Sequence, residues 1–155
     1  MRLAEGLALR ADARRRVEQM RTRIAASARY QEGEEPAEDA AALLVEAEQA
    51  LDELESMIRR VNRTNAATDL GADGTMTDAL ARRDVLRLWH ALLGDAADAA
   101  SGRGGGGFRQ LRSELRQLAA LPVAELRSRA DGVARDVREL DVRIQRANWE
   151  VELLD

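Results

Sequence analysis

The stretch VAELRSRADGVARDVRELDVRIQRANWEVELL, residues 123–154, repeats apolar residues at alternating spacings of three and four. The repeating positions are Val123, Leu126, Ala130, Val133, Val137, Leu140, Ile144, Ala147, Val151 and Leu154. This is the a/d pattern of a coiled-coil-like helix, and Pro122 suits its first turn, where a missing N–H costs no hydrogen bond. At 1.5 Å per residue the helix would be roughly 50 Å long. We therefore expect the rest of the chain to supply helices that cover this stripe.

Composition favours an all-α protein with a single domain over residues 1–155. Aromatic residues make up only 3% of the chain, so the core must come from Leu, Val, Ile, Met and much Ala. The absence of cysteine excludes disulfides, thiol catalysis and thiolate metal sites. No apolar run approaches the roughly 18 residues of a membrane span, and no secretory signal is apparent. We therefore expect a cytoplasmic protein, and the net charge of −4 predicts no nucleic-acid partner.

The first half of the chain predicts an αα-hairpin held together by charge. Helix one spans about residues 2–31 and helix two about 39–66, with Gly33 and Pro36 in the turn and Asp39 as a helix cap. Residues 1–31 contain eight arginines and three acidic residues, whereas residues 32–56 contain ten acidic residues and no arginine. We interpret this asymmetry as pairing between the two helices, the alternative being a surface for an outside partner.

The second half predicts another hairpin. Thr75 and Asp78 form a capping box that announces helix three, over about residues 76–100. A flexible Gly-rich loop follows at 101–107, and residues 108–121 form either a short helix or an extended crossover. Helix four then spans about 122–154. The predicted fold is a four-helix antiparallel bundle of two helical hairpins with a long C-terminal helix.

Up-down connectivity gathers polar residues at one end of this bundle. The candidate polar layer consists of Glu5, Arg10, Asp12, Asn62, Thr64, Asn65, Arg83, Asp84, Asn148 and Trp149. One interpretation is a buried network that fixes register, in which Arg10 and Arg83 pair with Glu5 and Asp84. The other is a pocket for a metal or a small ligand.

The sequence contains no recognisable catalytic motif, and we assign no catalytic residue and no cofactor. The only histidine, His90, cannot supply the two Glu-x-x-His pairs of a di-iron bundle. The glycines of residues 101–107 lack the Lys-Ser/Thr ending of a phosphate-binding loop and follow a helix, not a strand. An enzymatic function is therefore not indicated.

Several motifs together resemble a family of small uncharacterised bacterial proteins labelled septicolysin. The motifs are residues 31–36 (QEGEEP), 61–68 (VNRTNAAT), 77–86 (TDALARRDVL), 143–145 (RIQ) and 148–149 (NW). The resemblance implies an irregular or strand-like crossover at 114–121. The label also implies a cytolysin described as thiol-activated, although this chain has no cysteine.

The patterns favour a non-enzymatic protein that interacts with other proteins or forms homo-oligomers. Helix four exceeds helix three by several turns, so part of its stripe should be bare and should promote a dimer or a larger ring. One alternative is a septicolysin-like, membrane-active protein whose basic first helix lies on anionic lipid. The other is a protein that binds a metal or small ligand through the polar layer.

Overall fold

The chain folds into four α-helices in a computed structural model that describes residues 1–103 and 115–155. The helices are α1 (Leu3–Ser27), α2 (Ala40–Ala67), α3 (Met76–Ala100) and α4 (Val123–Glu150), with a short 3-10 helix at Gly71–Asp73. No β-strand occurs within these two described ranges. Because α1 packs along α2 and α3 packs against α4, the predicted all-α fold of two helical hairpins is confirmed.

Two helices end earlier than their sequence patterns predicted. Helix α1 ends at Ser27, and the residues that follow it, including Tyr30, are exposed and give the helix no apolar surface to bury. Helix α4 ends at Glu150, after which Leu153 is 8% exposed and Leu154 is 45% exposed. The periodicity had placed Leu154 on the buried stripe. Helices α2 and α4 both contain 28 residues, so α4 shares the greatest length with α2.

The crossover before α4 has no regular secondary structure over residues 115–122, which confirms the irregular crossover for that part. The Gly-rich loop beyond residue 103 and the segment 108–114 lie outside the described residues. The chain divides into two compact units, the first comprising Met1–Asp69 and Arg146–Asp155 and the second Leu70–Gln145. The single-domain organisation stays a prediction.

The first unit contains the α1–α2 hairpin. The carboxylate of Asp39 accepts hydrogen bonds from the backbone amides of Ala41 and Ala42, and so caps α2 as expected. Arg16 Nη1 lies 3.5 Å from Glu53 Oε2, and Arg23 pairs with Glu38. These pairs confirm that the basic first helix faces acidic residues of the hairpin.

The segment 151–155 is attached to the start of α1 by backbone hydrogen bonds. The amide of Leu3 donates to the carbonyl of Val151 at 2.9 Å, and the amide of Leu153 donates to the carbonyl of Met1 at 2.9 Å. A Cβ atom at Gly6 would lie 2.7 Å from Cδ2 of Leu153, so glycine permits the close approach of this buried leucine. These contacts explain why α4 stops before residue 151.

The same segment is attached to the end of α2 by side chains. The Leu154 amide donates to Thr64 Oγ1 at 3.0 Å, and Thr64 Oγ1 donates to the Arg60 carbonyl at 2.8 Å. Arg60 Nε donates to the Leu154 carbonyl at 3.0 Å, while Arg63 Nη1 donates to the Asp155 carbonyl at 2.8 Å. The polar groups of 151–155 therefore bond to both helices of the hairpin.

The second unit contains α3 and most of α4. Thr75 and Asp78 form the predicted capping box, with the Asp78 amide 3.2 Å from Thr75 Oγ1 and the Thr75 amide 2.8 Å from Asp78 Oδ2. The hydrogen bonds from the Thr75 side chain and backbone lower the pKa of Asp78. An apolar cluster joins the two helices through Leu93, Ala97, Leu126 and Ala130.

Ion pairs reinforce this second hairpin. Asp141 of α4 accepts from Arg87 Nη2 at 3.0 Å, and Arg127 Nη2 donates to Asp98 Oδ1 at 3.0 Å. At the 3-10 helix, Asp73 receives two bonds from Arg143, from Nε at 2.5 Å and from Nη2 at 3.1 Å. The hydrogen bonds from Arg143 lower the pKa of Asp73.

Replacing Thr64 by valine should lower the free energy of unfolding by about 1–2 kcal/mol, because the shape is kept while the Leu154 amide loses its acceptor. Urea denaturation measures this change. The matched control is Thr22→Val, since Thr22 is exposed and its hydroxyl donates only to the Glu18 carbonyl. That control should change stability by less than about 0.5 kcal/mol. Equal losses in the two variants would contradict a special role for Thr64.

Replacing Asp73 by asparagine should lower stability at pH 7 and flatten its dependence on acid. Because the pKa of Asp73 is lowered by folding, its carboxylate stabilises the folded state above the ordinary value of about 3.9. This contribution is lost as the pH falls below that value, so the two proteins should converge in acid. Chemical denaturation at a series of pH values gives both curves. Curves for Asp73→Asn and wild type that run parallel over the whole pH range would refute the expectation.

Candidate functional site

Eight members of the predicted polar layer lie in the first unit, and their surroundings differ. Thr64 and Asn148 are buried, Arg10 and Asn65 are half-buried, and Asn62 and Trp149 are exposed. Thr64 holds the Leu154 amide, which gives it a structural role within the hairpin. The remaining two members, Glu5 and Asp12, are exposed and form contacts only with residues near them in the sequence.

The two acidic residues, Glu5 and Asp12, each contact an arginine three residues away in the sequence. Glu5 accepts a hydrogen bond from the Arg2 backbone amide at 2.6 Å, and Asp12 pairs with Arg15 one turn later. The predicted pairing of Arg10 with Glu5 is therefore not among the ion pairs of the described residues.

Arg83 and Asp84 lie in the second unit on α3. Arg83 Nε approaches Asp84 Oδ1 at 3.5 Å, as predicted, but without a hydrogen bond from Nε. Its Nη1 lies at the same distance from Asp141 Oδ1, and Arg87 also binds that carboxylate. Sequence reasoning missed Asp141, although its position between Leu140 and Ile144 at the edge of the stripe is a usable signal. The convergence of all ten polar residues stays a prediction.

The described residues form neither a metal-binding cluster nor a membrane-spanning helix. Within residues 1–103 and 115–155, no group of three or more carboxylate or histidine residues is arranged to hold a metal ion. His90 is exposed on α3. None of the helices in the same ranges combines the length and the apolar character needed to cross a bilayer.

A groove of about 530 Å³ runs between α1 and α2 in the first unit. Its apolar residues are Leu9, Ala13 and Met57, and its polar residues include the ion pair Arg16–Glu53. The groove has room for a small apolar group. Its charged residues are already paired in part, so they give no indication of a specific ligand.

Two helices expose large apolar side chains at regular spacing. On α2, Leu44, Leu51 and Ile58 recur every seven residues and are exposed. On α3, the exposed fractions are 63% for Val85, 72% for Leu88 and 54% for Leu92. Side chains of this size and number on one helix face are typical of an interaction surface.

The location of these faces corrects the expectation that the bare stripe belongs to helix four. On α4, the stripe residues Leu126, Ala130, Leu140, Ile144 and Ala147 are buried. On α2 and α3, three- and four-residue spacing of apolar residues predicts that Leu51, Leu88 and Leu92 are buried, but all three are exposed. The buried positions of α3 are Met76, Ala79, Leu93 and Ala97, and of these the predicted apolar face included Leu93. Both faces of α3 are apolar, so periodicity alone could not decide which one is covered.

Comparison with solved structures finds a close match in sequence and fold. The crystal structure of a functionally unknown conserved protein from Corynebacterium diphtheriae is 39% identical to this chain, with a TM-score of 0.90. The match covers 99% of each chain. None of the curated proteins compared with this chain matches it.

The resemblance to septicolysin-labelled proteins is wrong as a family assignment, because neither the family match nor the structural neighbour carries that label. The motifs that suggested it lie within the matched region and belong to a different family. Residues 10–153 match the model of a family of unknown function, DUF6847, and the chain therefore belongs to that family.

Proposed function

We propose that this protein is a non-enzymatic, self-associating protein whose contact surface is the α3 face, defined as Ala81, Val85, Leu88, Leu92 and Ala99. The observation that carries the proposal is the exposure of Val85, Leu88 and Leu92, each more than half accessible to solvent. Burying one such side chain contributes about 1.5–3 kcal/mol. Association through this face would therefore recover hydrophobic stabilisation that the isolated chain lacks.

The spacing of the α3 face supports a helix as its partner. The face follows the alternating four and three spacing of a coiled-coil seam from Ala81 to Leu92, and Ala99 continues it after Asp95. Small alanines at both ends allow a second helix to approach closely, while the three large residues fill the centre. A helix from a second copy of the chain meets these requirements.

Charge distinguishes the α3 face from the exposed face of α2. The α2 face is bordered by Glu48, Asp52 and Glu55, and Arg59, which lies 3.5 Å from Glu55, only partly balances them. Pairing two α2 helices about Leu51 would bring these acidic borders together in either direction, and such like-charge contacts are unfavourable. The α3 face has one base, Arg82, and one acid, Asp84, near its centre. Self-association through the centre of the α3 face avoids this repulsion, provided that Asp95 of the two copies lies outside the contact.

The small-ligand alternative has less support. Thr64, the most deeply buried member of the candidate polar layer, already donates and accepts hydrogen bonds within the protein. Arg83 and Asp141 are likewise paired with each other. A ligand would have to replace these contacts, whereas a second α3 helix would replace only water.

Light scattering during size-exclusion chromatography, at about 10–100 μM protein, tests the proposal. We expect a dimer of wild-type chains with a dissociation constant in the micromolar range, because the contact is short for a stable interface. Leu88→Glu should weaken the dimer at least about 100-fold, since it buries a charge at the centre of the face.

The matched control is Leu51→Glu, which places the same charge on the α2 face. It should leave the mass of the dimer unchanged. Wild-type protein that remains monomeric at 100 μM would overturn the proposal. So would dimers that are lost in Leu51→Glu and kept in Leu88→Glu, because the contact would then lie on α2.

A further inference from the structure

We infer that two copies of α3 pair in an antiparallel direction, in the register that sets Val85 of one copy against Leu88 of the other. This inference rests on the proposed function, since it specifies how the second copy is bound. In the seam pattern, Val85 and Leu92 occupy a positions and Ala81, Leu88 and Asp95 occupy d positions. The direction and register follow from where each pairing puts Asp95.

A parallel pair places equivalent residues in the same layer. Asp95 of each copy would then meet in one layer, between the layers formed by Leu92 and by Ala99. Two carboxylates brought together and removed from water in this way are strongly unfavourable. Antiparallel pairing separates the two Asp95 residues because each lies near the opposite end of the contact.

Among the antiparallel registers that match a positions with d positions, two place two of the large residues Val85, Leu88 and Leu92 in the same layer. In the register centred on Leu88 and Leu92, Asp95 would pack against Val85 of the second copy and Asp84 would approach Asp98. Both contacts are unfavourable, the first because it desolvates a carboxylate and the second because the charges are alike. We therefore reject this register.

In the register centred on Val85 and Leu88, the layers are Val85 with Leu88 and Ala81 with Leu92, each occurring twice by symmetry. A large residue faces a small one in the outer two layers, which allows close packing without a cavity. Asp95 falls beyond these four layers, opposite Asp78 of the second copy. There it stays near solvent, and the Asp78 carboxylate is bonded to Thr75 of its own helix.

The borders of this register are also compatible. Arg82 lies opposite Trp89 of the second copy, where a guanidinium can stack on an indole ring, and Asp84 lies opposite the neutral Ala91. The Trp89 ring already attracts one guanidinium, since Arg129 Cζ lies 5.5 Å from its centroid. Beside the four apolar layers no like-charged residues face each other, and the acidic pair Asp95 with Asp78 lies beyond the outer layers, where both residues are exposed in the single chain.

Disulfide cross-linking tests the pairing directly, because the wild-type chain has no cysteine. Three single variants, Ala81→Cys, Leu92→Cys and Ala99→Cys, are oxidised alone and in equimolar mixtures and resolved on non-reducing gels. We expect a covalent dimer in the mixture of Ala81→Cys with Leu92→Cys, at least 10-fold above that in either variant alone. Facing positions in a layer bring the Cβ atoms close enough for a disulfide.

Each other outcome overturns the inference. Cross-linking of Ala81→Cys with itself would indicate parallel helices. Cross-linking of Ala81→Cys with Ala99→Cys would indicate the rejected antiparallel register. Dimers seen by light scattering without any cross-link would refute the α3 register but leave self-association intact. If a cysteine variant is monomeric while wild type is a dimer, His90→Cys chains carrying a label for distance measurement replace it. In the proposed register the two labels are offset along the helices, so labels found at the same level overturn the inference.

Discussion

Close contact between small side chains is the constraint on which each hairpin depends. Among the described residues, six of the sixteen buried hydrophobic residues are alanines: Ala13, Ala50, Ala79, Ala97, Ala130 and Ala147. Alanine lets helices approach closely and favours the helix itself, but its burial removes little apolar surface from water. The hairpins are therefore closely packed but gain limited hydrophobic stabilisation, and the larger leucines of α2 and α3 remain outside.

Polar contacts offset part of that limitation at the ends of helices, where backbone groups lack partners. In the first unit, residues 151–155 use Thr64, Arg60 and the start of α1 to satisfy their amides and carbonyls. In the second unit, Thr75 and Asp78 satisfy the first turn of α3. These bonds fix where the helices begin and end. They do not cover the exposed apolar side chains in the middle of α2 and α3.

Local signals in the sequence were sufficient to predict the four helices, the caps at Asp39 and Thr75, and the charge pairing of α1 with α2. Each depends on residues that are close in sequence or on the net charge of a whole helix. The buried face of α3 could not be predicted in this way. Val85, Leu88, Leu92 and Leu93 all fit one broad apolar stripe in the sequence, yet Leu93 is buried and the other three are exposed.

The end of α4 was mispredicted for a related reason. Periodicity counts only side chains, so it carried the helix through Leu154. The backbone groups of Val151 and Leu153 find partners in Leu3 and Met1, and this gain outweighs one more helical turn. Asp141 was missed for a similar reason: its position shows that it lies at the edge of the α4 stripe, but periodicity along one helix does not show that it faces Arg83 of another.

The charge that holds the first hairpin together also decides which helix can self-associate. Helix α2 must be acidic to pair with the arginines of α1, as Glu53 does with Arg16. The acidity extends to the border of its outer face, where it opposes contact with another α2 helix. Helix α3 pairs with α4 through contacts of both signs, Arg87 with Asp141 and Asp98 with Arg127. It therefore needs no excess charge, and its apolar face remains compatible with a second copy of itself.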